Sequence, residues 1–154
     1  MVLRGVILDN NFRMVIMIGK TPVSQIMTRN IIAITRSDDL STAEMLFKKH
    51  KIRHIPVITS ESIIGMLSYT DLLKISYPDT TNDDKNIEAI VYNSFTIEEV
   101  MTKNVLCIDS STTIQEATEI LAKCEFHALP VVDESILVGI VTSTDLLNYF
   151  LEQF

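Results

Sequence analysis

The sequence RHIPV at residues 53–57, followed by IGMLSYTD at residues 64–71, is the part of the chain that decides the fold. The same arrangement returns 74 residues later, as HALPV at residues 127–131 and VGIVTSTD at residues 138–145. Each stretch contains two short apolar runs separated by a polar link, which is typical of a β-hairpin. The chain therefore contains one structural unit that occurs twice.

This repeat extends well beyond the two motifs. Residues 23–73 align with residues 97–147 without a gap, and 14 of the 51 aligned pairs are identical. Of the remaining 37 pairs, 15 match one apolar residue with another, which chance does not produce in a single register. Internal identity at one fixed offset indicates two copies of the same fold.

Each copy predicts the same order of elements. A short helical turn (residues 23–28 and 97–102) comes before a brief strand (residues 31–34 and 105–108) and an amphipathic helix with one apolar face. The hairpin follows, and a last helix is expected to begin at Thr70 in the first copy and at Thr144 in the second. The sequence thus predicts an α/β (α+β) fold of two β-α-β-β-α repeats.

The composition is that of a globular protein and argues against several classes of function. Of the 154 residues, 47% are hydrophobic, while the net charge is −7. Nucleic acids and anionic membranes are unfavourable partners, because both require a basic surface. No uncharged stretch is long enough to span a membrane. The two isolated cysteines, Cys107 and Cys124, are expected to be buried, reduced thiols of a cytoplasmic protein.

Each copy resembles a CBS domain, the module named after cystathionine β-synthase. The resemblance rests on the two motifs and covers residues 23–147. It implies two CBS repeats packed about a pseudo-twofold axis, with two clefts between them, and often a homodimer of such pairs. It also implies an adenosine ligand: AMP, ADP or ATP, with or without Mg, or S-adenosylmethionine or a related compound.

The resemblance divides the chain into four parts. These are an N-terminal extension (residues 1–20), a first CBS domain (21–77), a linker (78–94) and a second CBS domain (95–154). Met14 and Met17 offer later starting points, which would leave residues 1–16 outside the native protein. Residues 78–86 of the linker are polar and acidic and are expected to form an exposed loop, whereas residues 87–95 are expected to form a short helix.

A carboxylate follows the hairpin in each copy, Asp71 in the first and Asp145 in the second. A carboxylate at the start of a helix can accept both ribose hydroxyls, and such charge-assisted bonds are strong. By analogy with the family, Asp71 and Asp145 take this role, and Ser68 and Thr142 lie near the phosphate, where the helix N-terminus also favours an anion.

Helix capping is the alternative role for these residues. Thr70 or Thr144 would then be the N-cap, with the aspartate in the first turn, where the helix dipole favours it. A hydroxyl three residues before the aspartate occurs in both copies, and capping by Thr70 or Thr144 does not require it. This argument favours the ligand role, while capping stays open.

A basic stretch at residues 48–54 holds four of the 13 basic residues of this acidic chain. Its lysines are explained by the exposed C-terminal turn of a helix, where cations are favourable. Arg53 and His54 come after that helix, and in the family these positions face the cleft and contact phosphate, a role that the planar guanidinium suits. The second copy has His127 and Ala128 there, with Glu125 nearby, which makes it a poorer anion site.

The two clefts are therefore expected to differ. In the family, phosphate contacts tend to come from the repeat opposite to the one that supplies the ribose carboxylate. Asp145 would then work with Arg53 and His54 and form the better phosphate site. Asp71 would work with His127 and its neighbour, and would bind weakly or prefer an uncharged tail.

Apolar side chains and backbone carbonyls would line the slot for adenine. The candidates are Ile32, Ala33, Ile34, Ile55, Pro56 and Met66 in the first copy, and Leu106, Cys107, Ile108, Leu129, Pro130 and Ile140 in the second. All of these residues are equally consistent with positions in the hydrophobic core.

The sequence predicts a regulatory module that binds an adenosine nucleotide and signals to a separate protein partner, and not an enzyme. It has no nucleophile paired with a base, no Gly-rich phosphate loop, and no metal-ligand spacing among its three histidines. A sensor of S-adenosylmethionine stays open. So does a ligand-free dimerisation scaffold, because residues 144–154 form a final helix whose end, with Tyr149, Phe150, Leu151 and Phe154, is strongly apolar for a chain terminus.

Overall fold

The computed structural model describes residues 19–76 and 93–153 of the chain. The predicted loop at residues 78–86 and most of the predicted helix at residues 87–95 lie outside the described residues, as does Phe154. After a 3₁₀ turn (Val23–Gln25), the elements are α1 (Leu40–His50), β1 (His54–Thr59), β2 (Ser62–Ser68), α2 (Tyr69–Ser76), α3 (Ile97–Val100), α4 (Ile114–Lys123), β3 (Ala128–Asp133), β4 (Ile136–Thr142) and α5 (Ser143–Leu151). This mixed order of helices and strands confirms the predicted fold class.

Both predicted hairpins are confirmed. Strand β1 pairs with β2, and β3 pairs with β4, each antiparallel, so the described residues contain two small two-stranded sheets. Each hairpin turns through two residues, which requires left-handed backbone. Ser60 has φ 56° in the first turn, and Glu134 and Ser135 have φ 50° and 71° in the second.

The brief strands predicted at residues 31–34 and 105–108 are wrong in extent. In each segment a single residue reaches the sheet: Ile34 forms a parallel bridge with Val57, and Ile108 forms one with Val131. The Ile34 N–H donates to the Pro56 carbonyl at 3.0 Å. Asn30, Ile31 and Ile32 line the cleft described below instead of continuing along the hairpin.

The predicted amphipathic helices form where expected. In α1, Leu40, Ala43 and Phe47 are buried, so the apolar positions at helical spacing form its inner face. The side chain of Asp39 caps this helix by accepting from the Thr42 N–H at 2.6 Å. The cap and the apolar face together fix where α1 begins and which side faces the hairpin.

The predicted starts of the last helices, at Thr70 and Thr144, are one residue late. Helix α5 begins at Ser143, and Thr142 is its N-cap. The Thr142 hydroxyl oxygen accepts from the Asp145 N–H at 3.2 Å, while the Asp145 carboxylate accepts from the Thr142 N–H at 2.8 Å. This reciprocal capping box uses the hydroxyl three residues before the acid, so Thr144 is not the cap.

The first repeat has similar geometry, with Ser68 directly before α2. The Asp71 N–H donates to the Ser68 hydroxyl at 3.0 Å, and Thr70 lies inside the helix. Capping therefore does use the hydroxyl three residues before each aspartate, and its presence does not by itself favour ligand binding. The capping and ligand roles are compatible, because the cap engages only one oxygen of each carboxylate.

Two contacts reveal a pseudo-twofold relation between the repeats. Thr28 forms an antiparallel bridge with Ile140, and Met66 forms one with Thr102. Thr28 corresponds to Thr102 at the 74-residue offset, and Met66 corresponds to Ile140. Exchanging each residue for its counterpart therefore converts one bridge into the other. A contact between positions i and j that is matched by one between j and i is the signature of a twofold arrangement.

The hydrophobic cores of the two repeats are interlocked. Val23 and Met27, at the start of the first repeat, are buried with the second hairpin and α4. Ile97 and Met101, at the start of the second repeat, are buried with the first hairpin and α1. Each core therefore includes the first segment of the other repeat, so neither copy buries its apolar face alone.

Two glycines permit this close approach. A Cβ atom at Gly139 would lie 2.4 Å from Met27 Sδ and 2.9 Å from its Cγ, whereas one at Gly65 would meet Met101 Sδ at 2.3 Å and also the backbone oxygen of Thr102 at 3.1 Å. We expect Gly139→Ala and Gly65→Ala each to destabilise the protein by about 1–3 kcal/mol through overpacking. Urea denaturation measures the loss.

Double variants test these contacts. Met27→Ala removes the Sδ and Cγ atoms that a Cβ at position 139 would meet, and Met101→Ala removes those at position 65, so each should recover part of the loss caused by its glycine substitution. Neither should recover all of it, because the Met27 Cβ at 3.2 Å and the Thr102 backbone oxygen at 3.1 Å both remain. Purely additive losses in both double variants would contradict the proposed contacts.

Candidate functional site

A large cleft lies between the two repeats, with a volume of about 1180 Å³. Its polar and charged lining residues are Thr28, Asn30, Lys51, Arg53, His54, Ser68, Thr70, Asp71, Lys74, Thr102, Asn104, Glu125, His127, Thr142, Ser143, Thr144 and Asp145. Its apolar lining residues are Ile31, Ile32, Ile52, Pro56, Met66, Val105, Leu106, Phe126, Ala128 and Ile140. All seven polar site residues predicted from the sequence are thus brought into one cleft.

In the first repeat, Asp71 is held at the start of α2 by two partners. Its Oδ2 accepts from the Ser68 hydroxyl at 2.5 Å, and its Oδ1 accepts from Lys74 Nζ at 3.1 Å. Burial raises the pKa of Asp71, but the hydrogen bond from Ser68 and the contacts with Lys74 and His54 outweigh burial and lower the pKa below its usual value. Both oxygens of this carboxylate are therefore already engaged.

In the second repeat, Asp145 is held differently. One oxygen, Oδ2, accepts from both the N–H and the hydroxyl of Thr142, at 2.8 and 2.6 Å. The position that corresponds to Lys74 is Asn148, which does not line the cleft. Within the described residues Oδ1 of Asp145 has no hydrogen-bond partner, so this oxygen can accept from a ligand.

The basic residues at the centre of the cleft come from the start of β1. His54 pairs with Ser68 in the hairpin register, and Arg53 is exposed beside it. Burial lowers the pKa of the half-buried His54, and the charges of His127 and Arg53 lower it further, while Asp71 opposes them. His54 therefore feels charges from both repeats, as expected for a residue between the two halves of the cleft.

The lowered pKa of His54 predicts a pH dependence of stability. Because the unfolded state binds the proton more tightly, the stability that neutral His54 permits is complete above pH 6.5, its ordinary pKa. It should decrease as the pH falls from 6.5 towards the folded-state pKa, by at most about 1.4 kcal/mol per pH unit for one proton. Urea midpoints between pH 7.5 and 5.5 measure this effect.

His54→Gln should flatten this part of the pH profile, since the glutamine does not titrate. His50, which is exposed, provides the matched control, because His50→Gln removes a histidine outside the cleft. A profile that stays as steep in His54→Gln as in the native protein would contradict the assignment.

Of the twelve apolar candidates for the adenine slot, five line the cleft and seven do not. Ile32, Pro56, Met66, Leu106 and Ile140 line it. The others are Ala33, Ile34, Ile55, Cys107, Ile108, Leu129 and Pro130, which are not among the lining residues. Of these, Ile34, Ile55, Ile108 and Leu129 are buried in the two cores.

The reason is the alternation of side chains along a strand. His54 and Pro56 point to one face of β1, so Ile55 between them must point to the other face, towards the core. In β3, Ala128 lines the cleft in the same way, whereas the next residue, Leu129, points towards the core. Since His54 was already expected to face the cleft, alternation along the sequence would have excluded Ile55.

Several lining residues were not predicted as site residues. Among them are Thr28 and Asn30, with their identical mates Thr102 and Asn104, and the charged Lys51 and Lys74. The repeat contained a signal for the first four, because polar residues outside the hairpin that are identical in both copies need a reason beyond core packing. Nothing in the sequence distinguished Lys74, which depends on the direction of α2.

The structure also bears on other expectations. Cys107 and Cys124 are free thiols, as expected, but both are half-buried and not fully buried; burial raises the pKa of Cys107. In residues 19–76 and 93–153 no three His, Cys, Asp or Glu side chains are grouped to hold a metal ion. None of the helices in these same ranges has the length and apolar character needed to cross a bilayer.

Comparison with known families agrees with the repeat. The model of the CBS domain matches residues 23–77 and again residues 97–152. The chain belongs to the CBS-domain family. The uncharacterized protein MJ1426 of Methanocaldococcus jannaschii is 30% identical over 152 residues, which cover 82% of this chain and 89% of that protein. The chain spans only 22% to 46% of the length of four other curated relatives.

Solved CBS pairs have the same architecture. The CBS domain pair of MJ0100, in complex with 5-methylthioadenosine and S-adenosyl-L-methionine, has a TM-score of 0.72 at 26% identity, covering 87% of this chain and 98% of that chain. CBSX2 from Arabidopsis thaliana has a TM-score of 0.75 at 26% identity, covering 86% and 96%. A further structure contains CBSX2 in complex with AMP, with a TM-score of 0.71 at 24% identity.

Proposed function

We propose that this CBS pair is a regulatory module that binds an adenosine nucleotide of the AMP, ADP or ATP type in its cleft and signals to a separate protein partner. The observation that carries the proposal is the pairing of Asp71 and Asp145, each at the start of a helix, with Arg53 and His54 in one cleft. Carboxylates suit ribose hydroxyls, and a guanidinium suits phosphate. The adenosine ligands of MJ0100 and CBSX2 support this class of ligand.

The two halves of the cleft are not equivalent in this proposal. Asp145 has a free oxygen for ribose, whereas both oxygens of Asp71 are engaged by Ser68 and Lys74. We assign the phosphorylated nucleotide to Asp145, with Arg53 and His54 of the opposite repeat near its phosphate. An anion between the two repeats would be most favourable there, because all Lys and Arg side chains that line the cleft come from the first repeat.

Such a module would act by differential binding. A nucleotide that touches both repeats can change their arrangement only if it binds one arrangement more tightly than another. The interlocked cores and the β2–β4 contact couple the two repeats, so a change at the cleft in one repeat would be transmitted to the other. A partner protein that reads that change completes the proposed function.

Thermal unfolding with a ligand panel tests the proposal. AMP, ADP, ATP and S-adenosylmethionine are added separately, with and without Mg²⁺, to the full chain. A ligand at 100 times its Kd stabilises the folded state by about 2.7 kcal/mol, which raises Tm by several degrees for a domain of this size. No shift with any adenosine ligand would reject nucleotide binding, and conversion of a ligand to product would reject a purely regulatory role.

A dimerisation scaffold is the second candidate function. Leu147 and Leu151 lie one turn apart on α5 and are 63% and 69% exposed, which is unusual for large apolar side chains. We propose that this face contacts a second copy of the chain. Light scattering after chromatography, comparing the native chain with Leu147→Lys/Leu151→Lys, tests it; a dimer that persists unchanged in the variant would rule out this face.

A further inference from the structure

The permanent charges that line the cleft cancel one another. Its lining holds three basic side chains and three carboxylates, which are Lys51, Arg53 and Lys74, and Asp71, Glu125 and Asp145. The other ionisable side chains among the described lining residues are His54 and His127. Histidine changes its charge between about pH 5 and 8, so these two residues decide whether the cleft is neutral or positive.

The two histidines come from opposite repeats. His54 is the first residue of β1, whereas His127 directly precedes β3. The carbonyl of His127 accepts from the Ser143 N–H at 3.0 Å, and at the equivalent position in the first repeat the carbonyl of Arg53 accepts from the Tyr69 N–H at 2.9 Å. These main-chain bonds hold both segments against the starts of the last helices, so His54 lies between a permanent cation of its own repeat and a histidine of the other.

Protonation of His54 in the empty cleft is unfavourable. It would add a positive charge beside Arg53 and opposite His127, in a half-buried position. Asp71 of α2 attracts that proton, but its oxygens are already bonded within the first repeat, one of them to Lys74. Burial and the two basic neighbours together hold the pKa of His54 below its ordinary value of 6.5, so its imidazole is neutral near pH 7.

A phosphate beside Arg53 and His54 would reverse this preference. Its negative charge turns repulsion around the imidazole into attraction, and an imidazolium donates a stronger, charge-assisted hydrogen bond than a neutral ring. We propose that binding of a phosphate in the cleft is coupled to the uptake of one proton from solvent by His54, so that the affinity for a phosphorylated nucleotide rises as the pH falls. This rests on the proposed function and makes the proton a regulator of the same site.

The direction and size of the effect follow from linkage. The complex binds the proton more tightly than the free protein, so lowering the pH favours the complex. The gain begins when the pH falls below the pKa of His54 in the complex and is complete below its pKa in the free protein. One proton changes the affinity by at most about tenfold per pH unit.

NMR titration measures this proton directly, because the whole chain contains three histidines. The ring signals of the full chain are followed between about pH 5 and 8, with and without saturating AMP; His50→Gln and His127→Gln assign them. AMP should raise the titration midpoint of His54 by about one pH unit or more, as an opposite charge nearby does. Adenosine, which lacks the phosphate, should not, and the exposed His50 should respond to neither compound.

The possible failures are distinguishable. If AMP binds and the midpoint of His54 does not rise, or if adenosine raises it as much as AMP does, the coupling is rejected and the proposed function stands. If AMP does not bind at any pH in this range, both are rejected.

Calorimetry in two buffers of different ionisation enthalpy counts the protons taken up. The phosphate of AMP itself takes up a proton near about pH 6, so native protein is compared with His54→Gln, in which that contribution is the same. The native chain and His50→Gln should take up more protons per AMP than His54→Gln does. Equal uptake in all three would overturn the role of His54; if His54→Gln fails to fold or to bind AMP, the NMR titration of the native chain decides.

Discussion

Asp145→Ala is expected to weaken the binding of AMP by about tenfold to hundredfold, because hydrogen bonds to a charged group contribute about 1.5–3 kcal/mol. The lost partner is the carboxylate whose Oδ1 is free among the described residues. Asp71→Ala should weaken AMP far less, since that carboxylate is already paired with Lys74. Calorimetry on both variants makes the comparison, and a greater loss in Asp71→Ala would contradict the assignment of the nucleotide to Asp145.

Loss of the helix cap must be separated from loss of the ligand contact. Asp145→Ala removes a capping box, which costs about 0.5–2 kcal/mol of stability. Glu116→Ala removes the corresponding box at the start of α4, where Glu116 accepts from Thr113, and this position is outside the cleft. Asp145→Asn keeps an acceptor for the cap and loses the charge. Weak binding in Asp145→Asn with normal stability would assign the effect to the ligand.

Ile97→Ala is expected to destabilise the protein by about 2–5 kcal/mol, as for other fully buried isoleucines. Its location makes the variant informative, because Ile97 belongs to the second repeat in sequence but is buried in the core of the first. We expect hydrogen exchange to accelerate first in β1 and β2. Val23→Ala should instead accelerate exchange first in β3 and β4, since Val23 is fully buried with the second hairpin.

A milder variant and a surface variant complete this test. Ile97→Val should cost about 0.5–1.5 kcal/mol and leaves the chain folded if the alanine variant does not fold. Ile136→Ala changes a residue that is 41% exposed in the second hairpin and should have little effect. Accelerated exchange confined to β3 and β4 in the Ile97 variants would contradict the interlocked cores.

Local patterns were enough to predict most elements but not their ends. The apolar spacing of Leu40, Ala43 and Phe47 predicts α1, and the polar links predict both hairpins, because these features depend on neighbouring residues. The starts of α2 and α5 were placed one residue late. Thr70 and Thr144 are acceptable caps by residue type, and the caps that the chain uses depend on backbone geometry at Ser68 and Thr142.

The polar part of the candidate site was predicted from the sequence, whereas most of its apolar part was not. Asp71, Asp145, Arg53 and His54 stand out by type and by repetition, and the structure places all of them in the cleft. The adenine candidates were less well placed. Ile55 and Leu129 are apolar residues of a hairpin whose other face is the core, and membership of a motif does not distinguish the two faces.

By itself the sequence determined that the chain contains two copies of one unit, because a 74-residue register of identities survives without any knowledge of the fold. It also determined that the copies differ at Lys51 and Glu125. Only the tertiary structure decided which segments complete each core and that Lys74 engages Asp71. Those contacts join residues that are far apart in sequence or depend on the direction of a helix, and their geometry is fixed by packing of the whole chain.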